Sequence, residues 1–197
     1  MALARRSWER LRAGQASNDQ SANRMIDRGG AMTDGSAGYG LQAGQGERLE
    51  MLGTEQVVLA GASTGASFMV LAADWPADSG PPPHIHDDED EAFYVLGGRV
   101  RVKCGTDEWV LEPGGFAYLP RGVIHQPSVE GPDPARLLVI TSRTGLEQYF
   151  AEVAAELAAS GMPPDLELLD RVGAPYGLRH FPPGTDAPPD AAEILTR

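Results

Sequence analysis

The chain has 197 residues and a formal net charge of −12, with a sequence pI near 4.7. This length fits one domain with tails, because domains commonly run ~100–200 residues and a core of that size buries enough surface to stand alone. A balance this acidic excludes a phosphate-tracking nucleic-acid binder, which needs a basic face to release counterions.

Residues 1–46 are rich in Gly, Ser, Ala, Gln and Asn and poor in large apolar side chains. They cannot bury enough surface to offset their ordering entropy, so they read as a mobile arm. Arg5, Arg6, Arg10, Arg12, Arg24 and Arg28 all fall in this head, which leaves the rest of the chain more acidic than the average. Met32 is as good a native start as Met1, which would make residues 1–31 an extension. The Arg-rich head lacks the apolar core of a secretory signal, and no stretch approaches the ~18–20 apolar residues of a membrane span. Cys104 is the sole cysteine and reads as a small strand residue. No intrachain disulfide can form, so a cytoplasmic location is expected.

From Glu55 the chain turns to short β-rich runs punctuated by Gly, Pro and Asp, the spacing of an all-β sandwich or barrel. Strands are expected at 56–60, 67–73, 92–96, 99–104, 108–111, 116–119, 125–128 and 136–141. Such even punctuation favours a jelly roll, since a parallel sheet needs a helix between successive strands. The strand set does not repeat, so a single barrel is expected over 47–144. Alternation along the strands puts Phe68, Val70, Phe93, Val95, Phe116 and Tyr118 inside it, lining a substrate pocket. Tyr94, Trp75, Trp109, Arg101 and Arg121 read as surface or rim. Residues 145–197 read as a helical segment with a Pro-rich tail: Leu146, Tyr149, Phe150, Val153, Ala154 and Leu157 recur at helical spacing over 145–159, and a second short helix fits 164–172. His180 lies near the end of this segment with no partner pattern and reads as structural or solvent-exposed.

Three of the four histidines fall in two compact segments, PPPHIHDDEDEAFYVLGG and PGGFAYLPRGVIHQP. His84 and His86 are two apart, so on an extended strand both imidazoles leave from one face and can converge on one ion. Glu91 opens the next strand, read as returning antiparallel so that its carboxylate lies beside them, and His125 enters the strand after a Pro-Arg-Gly turn. Imidazole with carboxylate is the donor set of borderline divalent ions such as Fe, Mn, Ni, Co or Zn, and open positions at such a site suit Fe(II) and O2 chemistry. The acidic run Asp87, Asp88, Glu89 and Asp90 reads as a solvated turn, because neighbouring side chains in a tight loop diverge.

The run His84-x-His86-x4-Glu91-x6-Gly98 resembles the first motif of the cupin superfamily, and Gly114-x5-Pro120-x-Gly122-x2-His125 resembles the second. Two departures touch no ligand: Gly80 stands two places closer to the first histidine than the usual Gly, and Val129 replaces the usual Asn. The chain is most similar to single-domain cupins of the quercetin 2,3-dioxygenase-like group. The resemblance implies a double-stranded β-helix barrel with C-terminal helices, and one divalent metal held by His84, His86, Glu91 and His125. It also implies Glu91 as both ligand and catalytic base, and a homodimer. The expected activity is oxygenation of a small oxygenated aromatic or enol-containing metabolite, with neither nucleic acid nor membrane as a partner. A metal in such a pocket serves two other ends equally: a redox-neutral isomerase or cyclase, with Glu91 or Tyr118 moving the proton, and a small-molecule-binding cupin without catalysis.

Overall fold

A computed structural model describes residues 38–51, 54–160 and 164–186. All belong to the second of the two units into which the chain divides, Ala31–Arg197. The strands described are β1 (Glu47–Met51), β2 (Thr54–Ala60), β3 (Met69–Trp75), β4 (His84–His86), β5 (Glu91–Gly97), β6 (Val100–Cys104), β7 (Asp107–Leu111), β8 (Phe116–Leu119), β9 (His125–Val129), β10 (Ala135–Thr141) and β11 (Leu178–His180). Two helices, α1 (Leu146–Ser160) and α2 (Leu166–Gly173), stand between β10 and β11.

Every strand pairing is antiparallel, and two sheets result. One runs β1-β2-β3-β10-β5-β8 and the other β11-β4-β9-β6-β7. The first is organised around β10, whose sequence ARLLVIT alternates strictly between buried and half-buried positions. Its inward residues meet inward residues on both neighbours: Leu137 stands opposite Ala73 and Val95, Val139 opposite Leu71 and Phe93, and Thr141 opposite Met69 and Glu91. In the second sheet Val100, Val102 and Cys104 of β6 face the same core. The barrel is therefore filled by two inner faces with a period of two, as an all-β sequence requires.

That period decides which aromatics are inside, and on two strands the observed facing is one residue away from expectation. On β3 the inward set is Met69, Leu71, Ala73 and Trp75, while Val70 is half-buried on the outer face. Phe68 precedes the strand and is 47% exposed. On β8 Ala117 and Leu119 point inward, leaving Phe116 at 57% and Tyr118 at 54% exposure. Phe68, Val70, Phe116 and Tyr118 thus do not line a pocket, because a one-residue change of parity sends a whole strand's side chains to the opposite face. Trp75, expected on the surface, is buried in the core for the same reason. Phe93 and Val95 do point inward.

Two motif glycines answer to close approach. Gly98 has φ 72°, and a Cβ there would stand 2.5 Å from the Pro134 carbonyl. Gly80 lies so near β9 that a Cβ would meet the Pro127 carbonyl at 2.5 Å. The displaced glycine of the first motif therefore has its own packing role.

Leu146, Tyr149 and Val153 of α1 are buried and Phe150 and Leu157 partly so, the face that the helical spacing specifies. Glu147 ties the start of α1 to the barrel, accepting from the backbone N–H of Ala62 (2.7 Å) and of Gly145 (2.9 Å). Asp165 caps α2 by accepting from Leu168 N–H at 2.8 Å. Beyond α2 the chain returns to the second sheet: β11 pairs with β4, placing His180 opposite His84. His180 is therefore a buried sheet residue. Of the arm at 1–46, residues 38–46 are described, and Tyr39 Oη donates to the Leu59 carbonyl at 2.6 Å. Residues 1–37 and the end of the Pro-rich tail lie outside the described residues. Among the described residues no helix is long and apolar enough to cross a membrane.

Leu119→Ala should cost about 2–5 kcal/mol of stability by leaving a cavity in the core, whereas Phe116→Ala should change it by about 0.5 kcal/mol or less. Chemical denaturation of the two variants checks the facing of β8, and equal losses would contradict it.

Candidate metal centre

His84 and His86 lie on β4, a three-residue strand whose positions are all buried. His125 opens β9, directly opposite His84 on one side and Cys104 on the other. Glu91 arrives from the other sheet: it begins β5, between Thr141 and Leu119. It is not a neighbour of the imidazoles on a paired strand; it reaches them across the interior. One potential ligand atom from each of the four residues lies within 4.8 Å of all the others. His125 Nε2 is 3.1 Å and His86 Nε2 is 3.8 Å from Glu91 Oε2. The ring centroids of His84 and His125 are 4.3 Å apart.

The hydrogen bonds fix which ring nitrogen faces the centre. His84 Nδ1 lies 2.9 Å from the Pro82 carbonyl, and His125 Nδ1 lies 2.9 Å from the Val123 carbonyl. A carbonyl only accepts, so each Nδ1 carries a proton, and the neutral form of each ring presents its Nε2 lone pair inward. His86 Nδ1 is held in the same way by Glu89 Oε1 at 2.8 Å. Glu91 Oε2 and His125 Nε2 are buried and make no hydrogen bond, even to each other. Buried lone pairs that converge without donors fit a cation, and imidazoles oriented by a carbonyl or carboxylate behind them are the usual support of a metal-binding histidine. The donor set suits a borderline divalent ion.

Electrostatics divide the rings. Burial, with the neighbouring His125 and His86, holds His84 well below the ordinary imidazole pKa, so it stays in its ligating form. Burial also opposes charge on His86, but Glu91 and Glu89 outweigh it and raise that pKa. The centre is thus electronegative on the Glu91 side.

The acidic run disperses to four partners. Asp87 pairs with Arg179 (2.8 Å), Asp88 with Arg143 (3.5 Å), Glu89 with His86 and Asp90 with Arg121 (2.9 Å). Three of these are exposed pairs; Glu89 instead is buried behind a ligand-type imidazole, a correction to its reading as part of a solvated turn. Arg121 Nε and backbone N–H both reach Asp90 Oδ1 at 3.0 Å, tying the loop that carries Glu89 to the turn before β9.

A cavity of about 420 Å³ opens from this centre, with His84, His86 and Glu91 at one end. Its wall includes Leu71, Trp75, Phe93, Val139 and Tyr149, and among the described residues no Lys or Arg lines it. Of the pocket residues expected from the sequence only Phe93 is in the wall; Val95 is buried outside it. The sequence reading missed Gln56, Tyr149 and His180 as cavity residues. His180 accepts at Nε2 from the Tyr149 hydroxyl (3.2 Å), while Asp170 Oδ1 takes its backbone N–H (2.6 Å) and its Nδ1–H (3.2 Å). Burial pushes the Tyr149 phenol up, so this group is a neutral hydroxyl.

Residues 71–141 match the family described as cupin domain. The chain carries a cupin domain. Over 96 residues it is 30% identical to quercetin 2,3-dioxygenase of Bacillus subtilis, covering 48% of this chain and 28% of that protein. Over 95 residues it is 32% identical to the oxidoreductase OpS7 of Beauveria bassiana, covering 44% of this chain and 31% of that one. The cupin therefore spans under a third of the length of either relative. Among solved structures it is similar to a sugar phosphate isomerase of the cupin superfamily from Silicibacter pomeroyi, with 28% identity, 48% and 62% of the two chains covered and a TM-score of 0.43. A second likeness is to an RmlC-like cupin from Shewanella frigidimarina, with 18% identity, 57% and 96% covered and a TM-score of 0.48.

Glu89→Gln should weaken the hold on a divalent ion by about 10–100-fold, because the amide leaves His86 less basic and less firmly oriented. Competition with a chromophoric chelator measures this, and unchanged affinity would remove Glu89 from the centre.

Proposed function

We propose that this protein is a metal-dependent cupin oxygenase for a small, uncharged, oxygenated aromatic or enol-containing metabolite, with one divalent ion held by His84, His86, Glu91 and His125. The observation that carries the reading is a buried three-imidazole, one-carboxylate cluster at an apolar cavity with no Lys or Arg in its wall among the described residues. A cavity of about 420 Å³ is the size of a small-metabolite site. Away from the ion, the described wall has no Lys or Arg to neutralise a phosphate or carboxylate, which argues against a substrate with an anionic group remote from the metal centre. The names of the two curated relatives, a quercetin dioxygenase and an oxidoreductase, point the same way.

When bound, a divalent ion in such a site supplies Lewis acidity toward a substrate oxygen and a route to O2 chemistry. The chain's own residues do the rest. Glu91 Oε2, unpartnered and facing the cavity end, accepts the proton of the substrate's enol or phenol hydroxyl. Leu71, Phe93 and Val139 exclude water from the substrate's apolar body. Tyr149, fixed by His180 and Asp170, supplies a neutral hydroxyl to the wall. The same hydroxyl is the observation that favours a redox-neutral isomerase as the second reading, replacing Tyr118, which faces solvent. The outer-face residues Tyr94, Leu96, Phe116 and Tyr118 support the homodimer that the cupin resemblance implies.

Protein reloaded separately with Fe, Mn, Co and Ni should consume O2 with a flavonol such as 3-hydroxyflavone, and Glu91→Gln should lower that rate by about 10²-fold or more. An oxygen electrode reads both. Turnover under argon would transfer the assignment to the isomerase, and binding without turnover would leave a binding protein.

A further inference from the structure

The cavity holds a polar group at the end remote from the metal centre. Gln56 on β2 is 3% exposed and lines the cavity, yet its side-chain oxygen makes no hydrogen bond among the described residues. Its neighbours fix the orientation of the amide. The Thr54 hydroxyl donates to the Met51 carbonyl at 2.5 Å, so Thr54 Oγ1 has only lone pairs left, and it takes the Gln56 Nε2–H at 3.4 Å. The amide nitrogen therefore faces Thr54, and Oε1 is the atom without a donor. Leaving a buried amide oxygen unpaired is unfavourable, and an apolar side chain would avoid that cost, as Val58 does at the next inward position of the same strand.

The register gives the distance. Gln56 pairs with Ala73, Ala73 with Leu137 and Leu137 with Val95, so Gln56 shares a row with Val95, four positions along β5 from Glu91. At about 3.3 Å per residue, the two polar ends stand ~13 Å apart along the strands. The row between them is Leu71, Val139 and Phe93, all apolar and all in the cavity wall. Neither Gln56 nor its hydrogen-bonding partner Thr54 lies within the residues that match the cupin domain.

We propose that Gln56 is a specificity-determining residue whose amide oxygen accepts a hydrogen bond from a hydroxyl on the end of the substrate remote from the metal centre. The ligand class is then an elongated molecule with an enol or phenol at the Glu91 end, an apolar aromatic middle and a hydrogen-bond donor at the far end. The enol end rests on the proposed oxygenase reading; the donor end rests on Gln56 alone.

Two measurements on the full-length, metal-loaded protein test it, using Gln56→Met, which removes the amide at similar volume. The first is calorimetric binding of 3-hydroxyflavone against 3,4′-dihydroxyflavone, which differ by one distal hydroxyl. Wild type should prefer the dihydroxy probe by about 10-fold or more, and Q56M should lose the preference. No preference in wild type, or one that survives in Q56M, overturns the proposal. The second is thermal unfolding without either probe, where Q56M should melt ~2 °C or more above wild type because the unpaired group is gone. A lower melting temperature overturns the proposal whatever the probes do, since the amide is then structural. If neither probe binds either protein, the oxygenase reading of the substrate fails and the melting shift alone decides the role of Gln56.

Discussion

Hydrogen bonds at the outer nitrogens of three imidazoles govern the centre. His84 and His125 each turn Nδ1 back to the carbonyl two residues earlier, on Pro82 and Val123, and His86 turns it to Glu89. With those nitrogens engaged, each ring in its neutral form presents its Nε2 lone pair to the same buried point as Glu91 Oε2. The two backbone clamps are local, set by the Pro-rich entry to β4 and the turn before β9. Convergence is not local: it needs β4, β9 and the opposite sheet brought to one place by the barrel.

The cavity, in turn, is completed by the segment C-terminal to the barrel. Leu178–His180 returns to pair with β4, and the α1–α2 segment leading to it supplies Tyr149 and Leu169 to the cavity wall. Glu147 and Asp165 fix the starts of the two helices, so the wall is set by helix-end hydrogen bonds as well as by apolar packing. Gln56, Tyr149 and His180 all lie outside the residues that match the cupin domain. The matched region carries the four residues that could hold a metal ion, and the flanking segments contribute to the cavity beside them.

Much of this was legible in the chain. His84, His86, Glu91 and His125 could be identified because their donor types and spacings are specific, and most strand positions followed from turn residues and alternation. The helical face of α1 followed from its period. What failed did so for a shared physical reason: alternation gives the period of a strand but not its phase. Phe68, Val70, Phe116 and Tyr118 were therefore turned inward, and Trp75 outward, against the observed faces. Glu89 could not be separated from its acidic neighbours because composition does not tell which of four carboxylates turns under a histidine. His180 and Gln56 acquire meaning only through pairings with distant strands, which no local pattern encodes.

The most direct test of the account is X-ray absorption spectroscopy of the protein loaded with one equivalent of Zn(II). The account predicts a first shell of nitrogen and oxygen donors at about 2.0–2.2 Å, with the multiple-scattering pattern of three imidazoles per ion. A shell of oxygen alone, or of fewer than two imidazoles, would contradict it.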